Sequence, residues 1–138
     1  MTSAEQLELV NRFYALSAAG DHAAARELLT EDFSITIPSY MPFAGVYRGK
    51  DAFRELIPIV VASITVASMK FVATTVGDDH VVKIVEFTLT GYDGPPIAVV
   101  EVSRFRGKQI CEVRPFYFDA RPMIEVAAQR RAAGLNAS

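Results

Sequence analysis

The sequence predicts an α+β fold in which helices cover one face of a curved antiparallel sheet. Two observations support this prediction. Residues 1–64 hold three segments with helical periodicity and a single short strand. The remainder holds four segments rich in β-branched and aromatic residues, separated by the turn sequences GDD, YDGP and RGK. Strands joined by short turns pair as an antiparallel meander, and helices segregated from strands are typical of this class.

The first two helices have start and stop signals. Ser3 and Gln6 fit a capping box that opens the first helix, and Gly20 ends it. Asp21 can cap a shorter second helix through AAARELL. The apolar residues of the first helix lie on one wide arc, namely Leu7, Leu9, Val10, Phe13, Tyr14 and Leu16.

The middle of the chain predicts one strand, one loop and one helix. FSITI, residues 33–37, reads as a strand closed by Pro38. The aromatic, glycine-containing segment PSYMPFAGVYRG then predicts a loop. A third helix is expected from about Lys50 to Ile64, kinked or split by Pro58. A last helix, ARPMIEVAAQRRAAG, is expected to end at Gly134.

Composition excludes several classes of function. The chain has 138 residues, a net charge of −2 and no basic run, so neither nucleic acid nor an anionic membrane is expected as a partner. The longest apolar region, residues 57–66, is too short to span a bilayer, and the N-terminus lacks the pattern of a secretory signal. The single cysteine, Cys111, excludes an internal disulfide, so a cytoplasmic location is expected. His22, His80 and Cys111 are too far apart in sequence to predict a metal site.

Three segments carry a resemblance to a known family. They are RFYALSAAGDHAAARELLTEDFSI, YRGKDAFREL and SRFRGKQICEVRPFYFD. Over about residues 5–120 the chain resembles the SnoaL-like and ketosteroid isomerase-like branch of the nuclear transport factor 2-like superfamily. The resemblance implies one domain, residues 1–138, with a C-terminal helix at about 121–134. It also implies a cone-shaped, cystatin-like fold in which the curved antiparallel sheet and the helices close a hydrophobic pocket.

The resemblance also implies an activity. Isomerases of this branch use a tyrosine on the first helix, a carboxylate base at the end of the first strand and a protonated acid on a central strand. The matching positions here are Phe13, with Tyr14 beside it, Ile37 and Glu101. The base is therefore replaced by isoleucine, which argues against classical ketosteroid isomerisation. The chain is expected to be a cofactor-independent acid–base enzyme, an isomerase, cyclase or lyase, acting on a hydrophobic small molecule. The alternative is a binding or scaffold domain that kept the pocket and lost the base.

Turn symmetry predicts which charged residues lie together. A symmetric hairpin over GYDGPP pairs Glu86 with Glu101, and the RGK turn then brings Glu101 opposite Glu112 or Arg114. All four would then share one face of the sheet. A β-bulge in the second turn would move the last strand's residues to the other face, and the sequence leaves that alternative open.

The two faces of the predicted sheet are both rich in apolar residues. The apolar pattern alone favours burying Val85, Phe87, Val100 and Val102, whereas the resemblance points Glu101 into the cone and Arg104 outward. We adopt the second interpretation. Because one covered face should leave a polar face in water, a second apolar face predicts a homodimer formed sheet against sheet.

These arguments select the candidate site residues. Glu101, which could share a proton with Glu86, is the candidate general acid or base, and Arg114 or Tyr14 would stabilise developing negative charge. The alternative is that these residues have structural roles: Arg114 would neutralise a carboxylate, or the charges would be exposed on the sheet. Tyr40, Met41, Phe43 and Tyr47 could form an aromatic lid or simply plug the cone. The predicted substrate-binding residues are Phe13, Tyr40, Phe43, Tyr47, Phe53, Ile57, Glu86, Glu112, Phe116 and Phe118.

Overall fold

Six strands form one sheet, and four helices accompany them, in a computed structural model that describes residues 1–134. The elements are α1 (Ser3–Ala18), α2 (His22–Arg26), β1 (Leu29–Ile37), β2 (Gly45–Arg48), α3 (Ala52–Ser63), β3 (Val66–Gly77), β4 (His80–Leu89), β5 (Ile97–Arg106), β6 (Gln109–Tyr117) and α4 (Arg121–Ala132). The strand order is β2-β1-β6-β5-β4-β3. This confirms the α+β class and the meander of four strands. Positions 135–138 of the predicted domain lie outside the described residues.

Two features of the sheet were not predicted. β1 pairs in parallel with β6, although an antiparallel sheet was expected. The segment read as a loop contains the short strand β2, which pairs with β1 through Ile35 and Tyr47. A four-residue strand between a Pro-rich turn and a glycine has too little alternation to be recognised from sequence. The Tyr47 hydroxyl donates to the Phe43 carbonyl over 3.0 Å and closes this loop on itself.

The helix termini differ from prediction by small amounts. The capping box of α1 is Thr2 with Glu5, one position earlier than expected: each side chain bonds the other residue's backbone N–H at 3.2 Å. Gln6 is instead buried and donates to Asp79 in the β3–β4 turn. Asp21 caps α2 as predicted. α3 is not split at Pro58 but continues through it. Proline has no backbone N–H to bond the carbonyl one turn earlier, and because Pro58 is exposed, water can bond that carbonyl instead.

The register between β4 and β5 differs from the symmetric hairpin. Lys83 is paired with Glu101, and Glu86 is paired with Ala98. The offset from the symmetric pairing is odd, so Glu86 and Glu101 lie on opposite faces of the sheet. The predicted Glu86–Glu101 pair is therefore wrong.

A β-bulge between Arg104 and Phe105 sets the register of β6. Glu101 is paired with Pro115, and Arg104 is paired with Glu112. Because a bulge adds one residue to one strand, it exchanges the inward and outward residues beyond it. The alternative that the sequence left open is thus the one that occurs, and Glu112 and Arg114 leave the face that carries Glu101.

The core lies between the inner face of the sheet and the helices. Phe33, Ile35, Val81, Val85 and Val113 are almost fully buried there, together with Val10 of α1 and Met123 of α4. Val100 and Val102 are only half-buried and lie on the outer face with Arg104. Within residues 1–134, no helix combines the length and the apolar character that crossing a bilayer requires.

Candidate functional site

A cavity of about 250 Å³ lies between the inner face of the sheet and α3. Its walls are apolar except at Glu101 and Tyr117. The lining residues are Ile35, Ile37, Phe43, Phe53, Leu56, Ile57, Val60, Val61, Ile64, Val66, Met69, Val85, Phe87, Val99, Glu101, Val113, Pro115, Tyr117 and Met123. Among the described lining residues, Glu101 alone carries a carboxyl group, and this group faces a hydrocarbon-like space.

Tyr14 holds this carboxyl from the opposite element. Its hydroxyl donates to Glu101 Oε1 over 2.9 Å, from α1 to β5. Burial raises the pKa of Glu101, while the Tyr14 hydrogen bond and the positive charge of Lys83 oppose the rise. Burial and the neighbouring Glu101 raise the pKa of Tyr14, so its hydroxyl stays protonated and remains a donor. Tyr14 and Glu101, two of the predicted site residues, are thus in contact with each other, but Tyr14 does not line the cavity and so does not reach the place where it was expected to stabilise charge on a ligand.

Lys83 is a third member of the cluster that the sequence reasoning missed. It is 7% exposed, and its ammonium donates to Asn11 Oδ1 over 2.7 Å and to Thr74 Oγ1 over 3.3 Å. The nitrogen lies 5.3 Å from the centroid of the Tyr14 ring. A signal was present: in HVVKIVEF, Lys83 shares the face of the apolar alternate residues, so burying Val85 also turns Lys83 inward.

Tyr117 is the second polar residue of the cavity wall, and the sequence reasoning also missed it. Among the described residues, no hydrogen-bond partner holds its hydroxyl. Burial raises the pKa of Tyr117, with smaller contributions from Glu101 and Tyr40. Its hydroxyl is therefore neutral, and it could donate a hydrogen bond to an oxygen atom of a ligand.

Three predicted charged residues lie outside the cavity. Glu86, Glu112 and Arg114 are on the outer face of the sheet. Glu112 pairs with Arg104 at 3.3 Å and with Arg114 at 3.1 Å. The odd offset between β4 and β5 places Glu86 on the outer face, and the bulge between β5 and β6 does the same for Glu112 and Arg114. Arg114 therefore cannot stabilise charge on a ligand in this cavity.

The predicted apolar and aromatic binding residues do not all reach the cavity. Phe43, Phe53 and Ile57 line the cavity. Phe13 instead packs behind the wall, with its ring centroid 5.0 Å from that of Phe53. Phe118 is 90% exposed.

The remaining predicted residues lie at the end of the sheet near β2. Tyr40 and Phe116 are each more than half exposed, and they line a second groove together with Arg114. Tyr47 is bonded within its own loop and does not line the cavity. Of the predicted aromatic lid, Phe43 alone reaches the cavity among the described residues.

The mouth and one end of the cavity are formed partly by Met69 and Met123, two residues that the sequence reasoning did not single out. Met69 of β3 and Val61 of α3 line the cavity yet are 58% and 63% exposed, so they form an apolar rim. Met123 of α4 closes the cavity and is fully buried. Arg130 fastens α4 by donating to the Val61 carbonyl and the Thr65 hydroxyl over 2.9 and 2.6 Å.

This arrangement can move a proton. Glu101 can accept one as a carboxylate or deliver one as an acid, and Tyr117 can donate a hydrogen bond. Across residues 1–134, no cluster of three or more His, Cys, Asp or Glu side chains is placed to hold a metal ion.

Comparison with known proteins identifies the family. A sequence profile of the SnoaL-like domain matches residues 10–113. No curated protein sequence matches the chain. Among solved structures, an NTF2-like protein from Burkholderia xenovorans LB400 is 17% identical over 92% of this chain and 98% of its own, with a TM-score of 0.74.

Two further structures share the fold. Bal32a, from a soil-derived mobile gene cassette, is 21% identical over 90% of this chain and 97% of its own, with a TM-score of 0.73. TerC, co-crystallised with polyporic acid, is 15% identical over 90% of this chain and 98% of its own, with a TM-score of 0.69. The profile match covers most of the described residues, so the chain belongs to the SnoaL-like domain family.

Proposed function

We propose that the protein is a cofactor-independent acid–base enzyme that acts on a hydrophobic small molecule, with Glu101 as the group that transfers the proton. One observation carries the proposal: a carboxyl group, hydrogen-bonded by Tyr14, lies on the wall of a cavity whose other described lining residues are apolar except for Tyr117. Perturbed acids in concave apolar sites are the usual signature of such chemistry.

The raised pKa of Glu101 suits both directions of proton transfer. A carboxylate that is poorly solvated is a stronger base than one in water, and its conjugate acid persists closer to neutral pH. One such group can remove a proton from carbon and return it at another position. Isomerisation therefore requires one proton-transferring residue in this cavity, whereas cyclisation and elimination commonly use a separate acid and base.

The cavity volume limits the substrate. A cavity of about 150 Å³ accommodates benzene, so about 250 Å³ corresponds to a molecule of one or two rings. The exposed apolar rim at Ile57, Val61 and Met69 allows a longer substituent to extend outward. The co-crystal of TerC with polyporic acid supports ligand binding by a protein of this fold.

A binding protein without catalysis is the second candidate. Ile37 lines the cavity at the position where the isomerase-like branch has its base, so no second acid flanks a ligand there. A ligand would then be held by apolar contact and by hydrogen bonds from Glu101 and Tyr117.

Deuterium exchange distinguishes the two candidates. Neutral one- and two-ring ketones would first be screened for binding by their effect on thermal unfolding. The binders would then be incubated in D₂O and followed by NMR for enzyme-dependent exchange at carbon. We expect exchange with the wild type, and a loss of about 10² to 10⁴-fold in Glu101→Gln.

The control is Glu86→Gln, which removes the same charge from the outer face. It should exchange at the wild-type rate. Binding without exchange in the wild type would identify the second candidate. Equal exchange in Glu101→Gln and the wild type would show that another group transfers the proton.

We also propose that a second copy of the chain covers the outer face of the sheet. Val82, Ile84, Val100 and Val102 are half-buried there, and Phe116 is 53% exposed. A sheet face that has no helix layer and carries a cluster of apolar residues among its charges favours an isologous contact between copies. Sedimentation of the wild type at micromolar concentration tests this: a dimer mass is expected, and a monomer mass would contradict it.

A further inference from the structure

Lys83 occupies a position that is costly for a charged side chain. It projects from β4 to the inner face and is only 7% exposed. A buried ammonium is tolerated when hydrogen bonds and an opposite charge compensate it. Its hydrogen bonds go to Asn11 and Thr74, both exposed, where α1 meets β3.

One opposite charge lies in the same cluster. Glu101 is the register partner of Lys83 on β5, with its side chain on the same face. The elements around Lys83 are α1 with Asn11 and Tyr14, β3 with Thr74 and Phe71, and β5 with Glu101. Of these groups only the carboxyl can carry a negative charge at neutral pH.

Tyr14 connects the two charges. Lys83 Nζ lies 5.3 Å from the centroid of its ring, a cation–π distance, while its hydroxyl donates to Glu101. The Phe71 ring lies 5.4 Å from the same nitrogen. The ammonium is thereby held between two rings and two hydrogen-bond acceptors, and Tyr14 is held between the ammonium and the carboxyl.

We propose that Lys83 is a positioning residue that favours the ionised form of Glu101 beside the apolar cavity and fixes the Tyr14 ring that bonds it. The inference rests on the proposed function in one respect: it explains how Glu101 could serve as a base. Lys83 does not line the cavity, so it acts through Glu101 and Tyr14 and does not itself touch a ligand.

The direction of the effect follows from the titratable groups that face Glu101. These are Tyr14 from α1, Lys83 from β4 and Tyr117 from β6, and Lys83 is the one cation among them. Burial lowers the pKa of Lys83, and the Glu101 carboxylate partly restores it. Removing the ammonium therefore removes the counter-charge and favours the neutral form of Glu101.

Titration of the Glu101 carboxyl tests the inference without a substrate. The midpoint would be read from the side-chain carboxyl ¹³C shift by NMR, in the wild type, Lys83→Met, Lys83→Arg and Lys70→Met. Lys70 is an exposed lysine on the outer face of β3, so its substitution removes the same charge away from the site. We expect the midpoint to rise in Lys83→Met relative to Lys70→Met, and to return towards the wild type in Lys83→Arg.

A midpoint in Lys83→Met equal to that of Lys70→Met overturns the inference. If Lys83→Met does not fold, Lys83→Gln replaces it, because its amide keeps a donor for Asn11 and Thr74 while removing the charge. The same comparison with Lys70→Met then supports or overturns the inference.

The result of the Glu101 titration can be distinguished from success or failure of the proposed function. If the Glu101 midpoint responds to Lys83, the inference stands even where deuterium exchange is absent, and it is then the proposed enzyme that fails. If exchange is present, its pH profile in Lys83→Met must move to higher pH with the Glu101 midpoint. A profile that stays in place overturns the claim that Lys83 positions the base.

Discussion

Replacing Tyr14 by phenylalanine should destabilise the protein by an amount that grows with pH. The substitution removes the hydroxyl that donates to Glu101 over 2.9 Å and leaves the ring in place. A hydrogen bond to a charged group contributes about 1.5–3 kcal/mol, whereas a bond between neutral groups contributes about 0.5–1.5 kcal/mol. The loss should therefore be about 1–2 kcal/mol larger when Glu101 is ionised than when it is protonated.

The sign follows from linkage. The pKa of Glu101 is raised in the folded protein, so its contribution to stability is complete below the ordinary carboxyl pKa and is lost as the pH rises through the folded value. Tyr14→Phe raises the folded pKa further, because the Tyr14 bond had lowered it. The stability that Glu101 contributes is then lost over a wider range of pH, so the total loss is larger.

Urea denaturation at about pH 5 and about pH 8 measures the effect. Tyr47→Phe is the matched control, because its hydroxyl bonds the neutral Phe43 carbonyl and its loss should not depend on pH. A loss in Tyr14→Phe that is the same at both pH values, or larger at the lower one, would refute the assigned contact between Tyr14 and an ionisable Glu101.

Three further substitutions probe other parts of the molecule. Met123→Ala, at a fully buried residue on the cavity wall, should cost about 2–5 kcal/mol in the free energy of unfolding and admit a larger ligand; a loss below about 1 kcal/mol would contradict its packing role. Arg130→Leu should cost about 1 kcal/mol and speed amide hydrogen exchange within α4, since it removes both hydrogen bonds that fasten this helix. The exposed Arg131→Leu is its control, and equal exchange in the two variants would count against the anchor. Val100→Lys on the outer face should halve the sedimenting mass of a dimer, whereas Val72→Lys on the exposed edge strand should not; a dimer that survives Val100→Lys uses another surface.

The class, the order of elements and the meander were predictable because helical and strand periodicities are strong over long segments. The orientation of Glu101 was harder. β5 has apolar residues on both faces, so alternation alone would have predicted that Val100 and Val102 are buried. Only the family resemblance predicted that Glu101 points inward. Tyr14 was recognised in the same way, from its place on α1.

Register was the part that local sequence could not determine. The seven-residue connection between β4 and β5, positions 90–96, permits several closures, and an odd offset changes the face of every side chain. The bulge near Arg104 has the same effect on β6. These two irregularities moved Glu86, Glu112 and Arg114 outward and left Lys83 as the charged partner of Glu101, although each residue lay in a strand that was correctly predicted.

The parallel contact between β1 and β6 also bears on when the cavity can form during synthesis. β1 has no partner on one edge until β6, near the end of the chain, has been made, because Ile35 is the register partner of Val113. The two strands form part of the cavity wall together: β1 contributes Ile35 and Ile37, and β6 contributes Val113 and Tyr117. Contacts between segments so distant in sequence form slowly, so the amino-terminal half must emerge with an apolar strand uncovered. The apolar residues of β1 therefore remain exposed to other chains until β6 has been made.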